Sequence, residues 1–240
     1  MRAVGYKSCK PVTEADALVD FELPAPEAKG LDLLVDVKAV SVNPVDTKVR
    51  RNQVPEAGQT RVLGFDAAGI VKAVGEKVSL FKPGDEVFYA GAINRPGTNS
   101  EFHLVDERIV GKKPKSLSFE EAAALPLTAI TAYEALFDRL KVKDPVAGGA
   151  NAVVIIGGAG GVGSIAIQLA RHLTDLTVIA TASRPETKEW VEQFGAHHVL
   201  DHSKPLAPQV EALGLGAPSF VFSTTHSDVH RADSIELIAP

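Results

Sequence analysis

A chain of 240 residues with 45% hydrophobic and 23% charged side chains has the apolar material for one large or two ordinary domains, which excludes a disordered protein. A formal charge of −5 without any basic tract excludes nucleic acid as the main partner. Cys9 is the single cysteine, so no internal disulfide or thiolate cluster can form, as suits a reducing compartment. No apolar run reaches membrane-spanning length, and Met1-Arg2-Ala3-Val4 opens a strand rather than a signal peptide. The chain reads as cytoplasmic.

The first 115 residues are predicted to be β-rich. Leu33 to Val42 alternates, with Val35, Val37 and Ala39 on one face and Asp36 and Lys38 on the other. Asn43-Pro44 stops this strand, because proline cannot donate to a ladder and disfavours a helical residue before it. Ala68 to Val74 is the next strand. Lys82-Pro83-Gly84-Asp85 has proline and glycine placed for a type II turn and leads into Glu86-Val87-Phe88-Tyr89. Phe102 to Val105 and Ile109-Val110 complete a small barrel-like domain.

From Ser118 the pattern changes. Ser118-Phe119-Glu120-Glu121 supplies a cap and early acids for a helix that Pro126 interrupts, and Thr128 to Leu140 is a second helix. Strands near Val153, Thr177, His198 and Phe220 then alternate with helices, one of them running from Pro185 to Phe194 and ending at Gly195. This alternation predicts a doubly wound parallel sheet. The expected division is 1–124 and 125–240. Only 77 residues follow Gly163, two strands short of a full dinucleotide fold, so the chain is expected to be C-terminally truncated.

Val153 to Ser164 joins a buried strand, the turn Gly157-Gly158-Ala159-Gly160-Gly161 and a helix with an apolar stripe. In that context a G-x-G-x-x-G match predicts a dinucleotide site. Gly158 is expected to make the tight turn, Gly160 to admit the pyrophosphate, and Gly163 to let helix and strand pack closely. The helix N-terminus would hold the phosphates. The alternative is a bend without a ligand. The second strand ends in Thr181-Ala182-Ser183-Arg184, without the carboxylate that would bond a ribose 2′-hydroxyl. Ser183 can donate to a 2′-phosphate, Arg184 can pair with it, and Lys188 lies one turn on. This pattern favours NADP(H), the alternative being that Arg184 and Lys188 are solvated helix charges. His226 and His230 share the spacing of a last helix, Asp228 to Ile238, and read as surface groups rather than ligands.

Four segments occur in order: Ser41-Val42-Asn43-Pro44-Val45-Asp46-Thr47-Lys48, Leu63-Gly64-Phe65-Asp66-Ala67-Ala68-Gly69, Lys82-Pro83-Gly84-Asp85-Glu86-Val87 and Gly160-Gly161-Val162-Gly163. With them the chain resembles the medium-chain dehydrogenases/reductases, in the quinone oxidoreductase branch and its zinc-type alcohol dehydrogenase-like proteins. The resemblance implies an α/β protein with an N-terminal GroES-like catalytic domain and a Rossmann NADP-binding domain, here incomplete. It also implies a homodimer in the full-length protein, joined through final strands of the Rossmann sheet. The family's zinc enzymes carry Cys where Asn43 stands, His-Glu where Phe65-Asp66 stands, and a four-cysteine lobe after Tyr89. Asn43 and Phe65 cannot replace a thiolate and an imidazole, so no metal is expected.

By resemblance, Asn43 lies beside the nicotinamide and the substrate, its amide a donor to a developing enolate oxygen; ending the strand and capping the turn is its alternative role. Thr128 and Thr131 resemble threonines near the nicotinamide, or simply start a helix. Tyr89 is a candidate proton donor or pocket residue, or else strand core. Lys48 stands where relatives often carry Tyr, and Asp46 serves the local turn. The backbone of Gly160, Gly161 and Val162 would hold the pyrophosphate. The expected activity is zinc-independent hydride transfer from NADPH to quinones or α,β-unsaturated carbonyls, small molecules whose conjugation spreads the arriving charge. Two alternatives stay open: an alcohol dehydrogenase that recruits zinc atypically, and an NADPH-binding regulatory or structural protein.

Overall fold

The computed structural model describes residues 1–239 and divides into two units, Met1–Leu127 and Thr128–Pro240. In the first unit β1 (Arg2–Tyr6) and β2 (Val19–Glu22) pair antiparallel. β3 (Asp32–Ser41) follows the expected alternation, with Leu33 and Val35 fully buried. After α1 (Pro44–Asn52) and β4 (Arg61–Val62) come β5 (Asp66–Val74), β6 (Glu86–Ala90), β7 (Phe102–Asp106) and β8 (Val110–Lys112). One antiparallel sheet has the order β7-β3-β5-β6-β8, and a smaller one has the order β2-β1-β4. Leu33, Val35, Ala67, Val71, Val87, Tyr89 and Val105 fill the core of the larger sheet. Each of these Leu and Val side chains contributes about 1.5–3 kcal/mol by leaving water.

α1 was not among the expected elements. Asn43-Pro44 does end β3, but Pro44 is also the first helical residue, where a missing N–H costs nothing and the fixed φ suits a helix. Asp46 in the first turn and Arg50 and Arg51 in the last complement the helix dipole. α2 (Phe119–Ala123) has the expected start: Ser118 Oγ accepts from the Glu121 N–H at 3.1 Å, and the Glu121 carboxylate accepts the Ser118 N–H at 2.8 Å. Its Ala122 and Ala123 pack on Ala68 of β5. Pro126 begins α3 (Pro126–Tyr133) rather than only interrupting a helix, and a π-helical stretch, Glu134–Arg139, follows. The expected Thr128–Leu140 helix is therefore two pieces.

The second unit alternates β9 (Ala150–Ile156), α4 (Gly161–Leu173), β10 (Thr177–Thr181), α5 (Pro185–Gln193), β11 (His198–Leu200), α6 (Leu206–Glu211), β12 (Pro218–Ser223) and α7 (Arg231–Leu237). The strands are parallel in the order β11-β10-β9-β12. Val153 and Ile155 of β9 pack with Ala166, Ile167 and Ala170 of α4 and Val191 of α5. Val154 and Ile156 pack with Leu206 and Val210 of α6 and Leu237 of α7. Alternate residues of one strand thus serve two cores, which is the doubly wound arrangement. α7 starts at Arg231, later than expected; His230 is its N-cap, and His226 precedes it with φ 48°. The two histidines therefore do not share a helix face. Among the described residues no helix is long and apolar enough to cross a membrane.

Candidate functional site

In the first unit the candidate site gathers around the corner between β3 and α1. Asn43 is the N-cap of α1, with φ −118° and ψ 157°. Its backbone N–H donates to Asp46 Oδ2 at 2.7 Å, and its side-chain Nδ2 donates to Asp66 Oδ2 at 2.8 Å. Asp46 Oδ1 accepts the Gly64 N–H at 3.1 Å, and Asp66 Oδ1 accepts the Leu127 N–H at 2.9 Å. All three side chains are buried: Asn43 is 5% exposed, Asp46 6% and Asp66 0%. Burial pushes the Asp66 carboxyl up to about 6; the neighbouring Asp46 charge adds to the rise, while the donors Asn43 and Leu127 oppose it. Phe65 packs beside Tyr6, Val49 and Leu63.

Tyr89 lies elsewhere, in the core of the larger sheet and 2% exposed. Its hydroxyl is 3.0 Å from His103 Nδ1, and His103 Nε2 is 3.0 Å from the Pro96 carbonyl. A carbonyl only accepts, so Nε2 carries the proton and Nδ1 accepts from the Tyr89 hydroxyl. Burial raises the Tyr89 pKa and lowers that of His103 to about 4. The geometry of Tyr89 is that of a core residue with a satisfied hydroxyl. His103, its partner, had no sequence signal, since a lone histidine on a strand does not reveal a buried acceptor.

In the second unit the glycine turn joins β9 to α4. The left-handed position is Gly157, at φ 82°, rather than Gly158. Gly158 is glycine for another reason: an added Cβ would come 2.9 Å from Ala180 Cβ and 3.2 Å from Val191 Cγ1. Gly163 allows the expected close packing, because a Cβ there would lie 2.2 Å from the Gly157 carbonyl oxygen. Gly160 and Gly161 differ. A Cβ at Gly160 would meet only the Gly157 carbonyl oxygen at 3.4 Å, and one at Gly161 only Thr128 Cγ2 at 3.2 Å. Protein packing thus leaves the outer side of the turn open, as backbone approach by a pyrophosphate requires. Gly160 caps α4, whose first residues Gly161, Val162 and Gly163 present helix N-terminal N–H groups. Thr181 was missed in the sequence: its hydroxyl accepts the Gly157 N–H at 3.0 Å and pins the turn to β10.

Ser183 and Arg184 follow β10, where Arg184 is the exposed N-cap of α5 and its N–H donates to Thr187 Oγ1 at 3.2 Å. Lys188 is half-buried one turn on. Asp201 is held below the usual carboxylate range, first by Ser203 and also by the Lys188 and Lys204 charges. The basic group at Lys188 is therefore partly offset by an acid. His202 places Nδ1 3.3 Å from Thr181 Oγ1. Thr128 and Thr131 sit on α3, Thr128 with its methyl towards Gly161.

The model of the alcohol dehydrogenase GroES-like domain matches residues 29–115, and that of the zinc-binding dehydrogenases matches residues 161–240. A zinc-type alcohol dehydrogenase-like protein of Staphylococcus aureus (strain MSSA476) is 46% identical over 241 residues, covering 100% of this chain and 71% of its own length. An Arabidopsis thaliana chloroplastic NADPH-dependent alkenal/one oxidoreductase is 35% identical over 78% of this chain and 49% of its own. Among solved structures, a Rhizobium etli CFN 42 protein provisionally described as a zinc-dependent alcohol dehydrogenase is 68% identical, with TM-score 0.98 over 100% of this chain and 70% of that one. The Escherichia coli quinone oxidoreductase complexed with NADPH is 26% identical, with TM-score 0.83 over 100% of this chain and 70% of that one.

The zinc in some of these names has no matching donor set at this corner. Asn43 offers an amide, Phe65 is apolar, and both oxygens of Asp66 accept N–H groups. Among the described residues no three His, Cys, Asp or Glu side chains gather as a metal site would need. Gly160 and Gly161 are exposed and little crowded by the protein, as a dinucleotide would need.

The buried His103 sets a pH dependence. Its folded pKa, about 4, lies below the ordinary value of 6.5, so its contribution is intact above pH 6.5 and lost as pH falls through 4. At about 1.4 kcal/mol per pKa unit the loss is on the order of 3 kcal/mol. Denaturant unfolding should show wild type losing that much more stability than His103→Leu between pH 6.5 and 4. Parallel curves would show that the imidazole is not held neutral.

Proposed function

Because the chain belongs to the medium-chain dehydrogenase/reductase superfamily, among its zinc-type alcohol dehydrogenase-like members, we propose that it is an NADPH-dependent, zinc-independent reductase of quinones or α,β-unsaturated carbonyls. The observation that carries this reading is the buried Asn43–Asp66 hydrogen bond, at two positions where, by resemblance, the zinc enzymes of the superfamily carry Cys and Glu. Without zinc, alcohol oxidation loses the Lewis acid that stabilises an alkoxide at neutral pH in the zinc enzymes. An acceptor already activated by conjugation needs only a hydride and a proton.

The first unit, in this reading, handles the acceptor and the second the cofactor. When bound, NADPH supplies the hydride. The N–H groups of Gly161, Val162 and Gly163 hold the pyrophosphate, with Gly160 keeping a side chain out of its way. Ser183, Arg184 and Lys188 take the 2′-phosphate, and Thr128 and Thr131 serve the nicotinamide end. Asn43 donates through its amide to the acceptor oxygen as that oxygen gains charge. Tyr89 is left to the core. The NADPH-dependent alkenal/one oxidoreductase of Arabidopsis and the NADPH complex of the Escherichia coli quinone oxidoreductase support the choice of cofactor and acceptor.

Asn43→Ala should lower NADPH oxidation in the presence of a quinone or an enone by about tenfold to a thousandfold, with the variant still folded by circular dichroism. If folded Asn43→Ala turns over like wild type, the asparagine serves only the turn. Turnover by neither protein against quinones, enals or aldehydes would favour a non-enzymatic NADPH-binding role.

The cofactor reading gives a second expectation. Calorimetry should find NADPH bound more tightly than NADH by about 1–3 kcal/mol, through charge-assisted phosphate hydrogen bonds. Arg184→Ala should remove most of that gap while leaving NADH affinity nearly unchanged. Equal affinities in the wild type would contradict it.

A further inference from the structure

Asp66 is the first residue of β5 and is fixed on both sides. In the sheets it pairs with Ser41 of β3 and Ala90 of β6, and its carbonyl accepts from Thr98 Oγ1 at 3.2 Å. Its side chain is wholly buried, yet its carboxylate neighbours are Asn43, the Leu127 N–H and a second carboxylate, Asp46, with no cation among the groups acting on it. A buried carboxylate without a cation costs stability. A residue serving the fold alone would be better neutral, so the charge calls for another purpose.

The hydrogen bonds supply one. A carboxylate only accepts, so it bonds the NH2 end of the Asn43 amide and rejects the carbonyl end. Its other oxygen is held by Leu127, which prevents rotation to a different pairing. We infer that Asp66 is a positioning residue, whose ionised carboxylate fixes which way the Asn43 amide faces. This rests on the reading of Asn43 as the donor to the acceptor oxygen. One amide hydrogen is held by Asp66, and the orientation of the second follows from the first. The isosteric Asp66→Asn shows why charge rather than shape matters. Its single carbonyl oxygen is claimed by the Leu127 N–H, so its NH2 end faces Asn43. Asn43 must then turn its own carbonyl inward, and its NH2 group is reversed.

The test compares wild type, Asp66→Asn, Asn43→Ala and the double variant. Asp66→Asn should unfold at the same temperature or a higher one and bind NADPH as wild type does, yet lose about tenfold to a hundredfold in kcat, the scale of a misdirected group. In the Asn43→Ala background the same substitution should change kcat no further, because Asp66 acts through Asn43. In 15N-labelled protein, the two Asn43 side-chain amide protons should be widely separated in wild type, one of them bonded to the carboxylate, and should move together in Asp66→Asn. Unchanged amide resonances, unchanged kcat in Asp66→Asn, or losses that multiply in the double variant would each overturn the inference. If none of the quinones, enals or aldehydes supports NADPH oxidation by wild type, the reductase reading fails by itself, and the amide resonances still decide whether Asp66 orients Asn43.

Discussion

Asn43 is bonded twice to buried carboxylates, through its backbone to Asp46 and through its side chain to Asp66, and the corner between β3 and α1 depends on this arrangement. Each carboxylate needs donors because burial denies it water. Asn43 supplies one donor to each from the two-residue step between Ser41, which ends β3, and Pro44, which begins α1, and the Gly64 N–H supplies a second to Asp46. Asp66 adds the start of α3 through the Leu127 N–H. One amide side chain therefore has a fixed place and a fixed face in a dry setting, which is the condition for it to stabilise charge that develops nearby.

The glycine turn of the second unit separates two reasons for the same residue type. Gly157 is required by its left-handed backbone, and Gly158 and Gly163 by atoms of the protein closer than a Cβ can tolerate. Gly160 and Gly161 are constrained far less by the protein itself. A substitution to alanine would thus act through folding at Gly163 and through access to the backbone at Gly160. The turn is pinned to β10 by the Thr181 hydroxyl, so the N-terminus of α4 has a fixed direction even without a ligand.

Much of this fold was legible in the sequence because it rests on local patterns. Period-two alternation marked β3, apolar runs marked β9 and β10, and Ser118 with Glu121 marked the start of α2. α1 escaped because Asn43-Pro44 serves as both a strand stop and a helix start, and only the stop was read. The histidine spacing in 226–230 suggested a shared helix face, but the left-handed backbone at His226 breaks the chain before α7. Within the candidate site, Asn43 and the glycines had motifs to mark them. Asp66 did not reveal its part, since its bond to Asn43 spans 23 positions and exists only once β3 and β5 are paired. Tyr89 looked like a donor by residue type, and only the buried His103 opposite its hydroxyl shows where its proton is engaged.

In the proposed reaction, hydride passes from NADPH to a conjugated acceptor without a metal. The most direct test incubates chelator-dialysed protein with NADPH deuterated at the transferring C4 position and an α,β-unsaturated ketone, then locates the deuterium by mass spectrometry and NMR. Deuterium is expected on the β-carbon of the saturated product, with a proton from solvent on the α-carbon and the same rate before and after dialysis. Deuterium that stays on the nicotinamide, or transfer that stops on dialysis and returns with zinc, would contradict it.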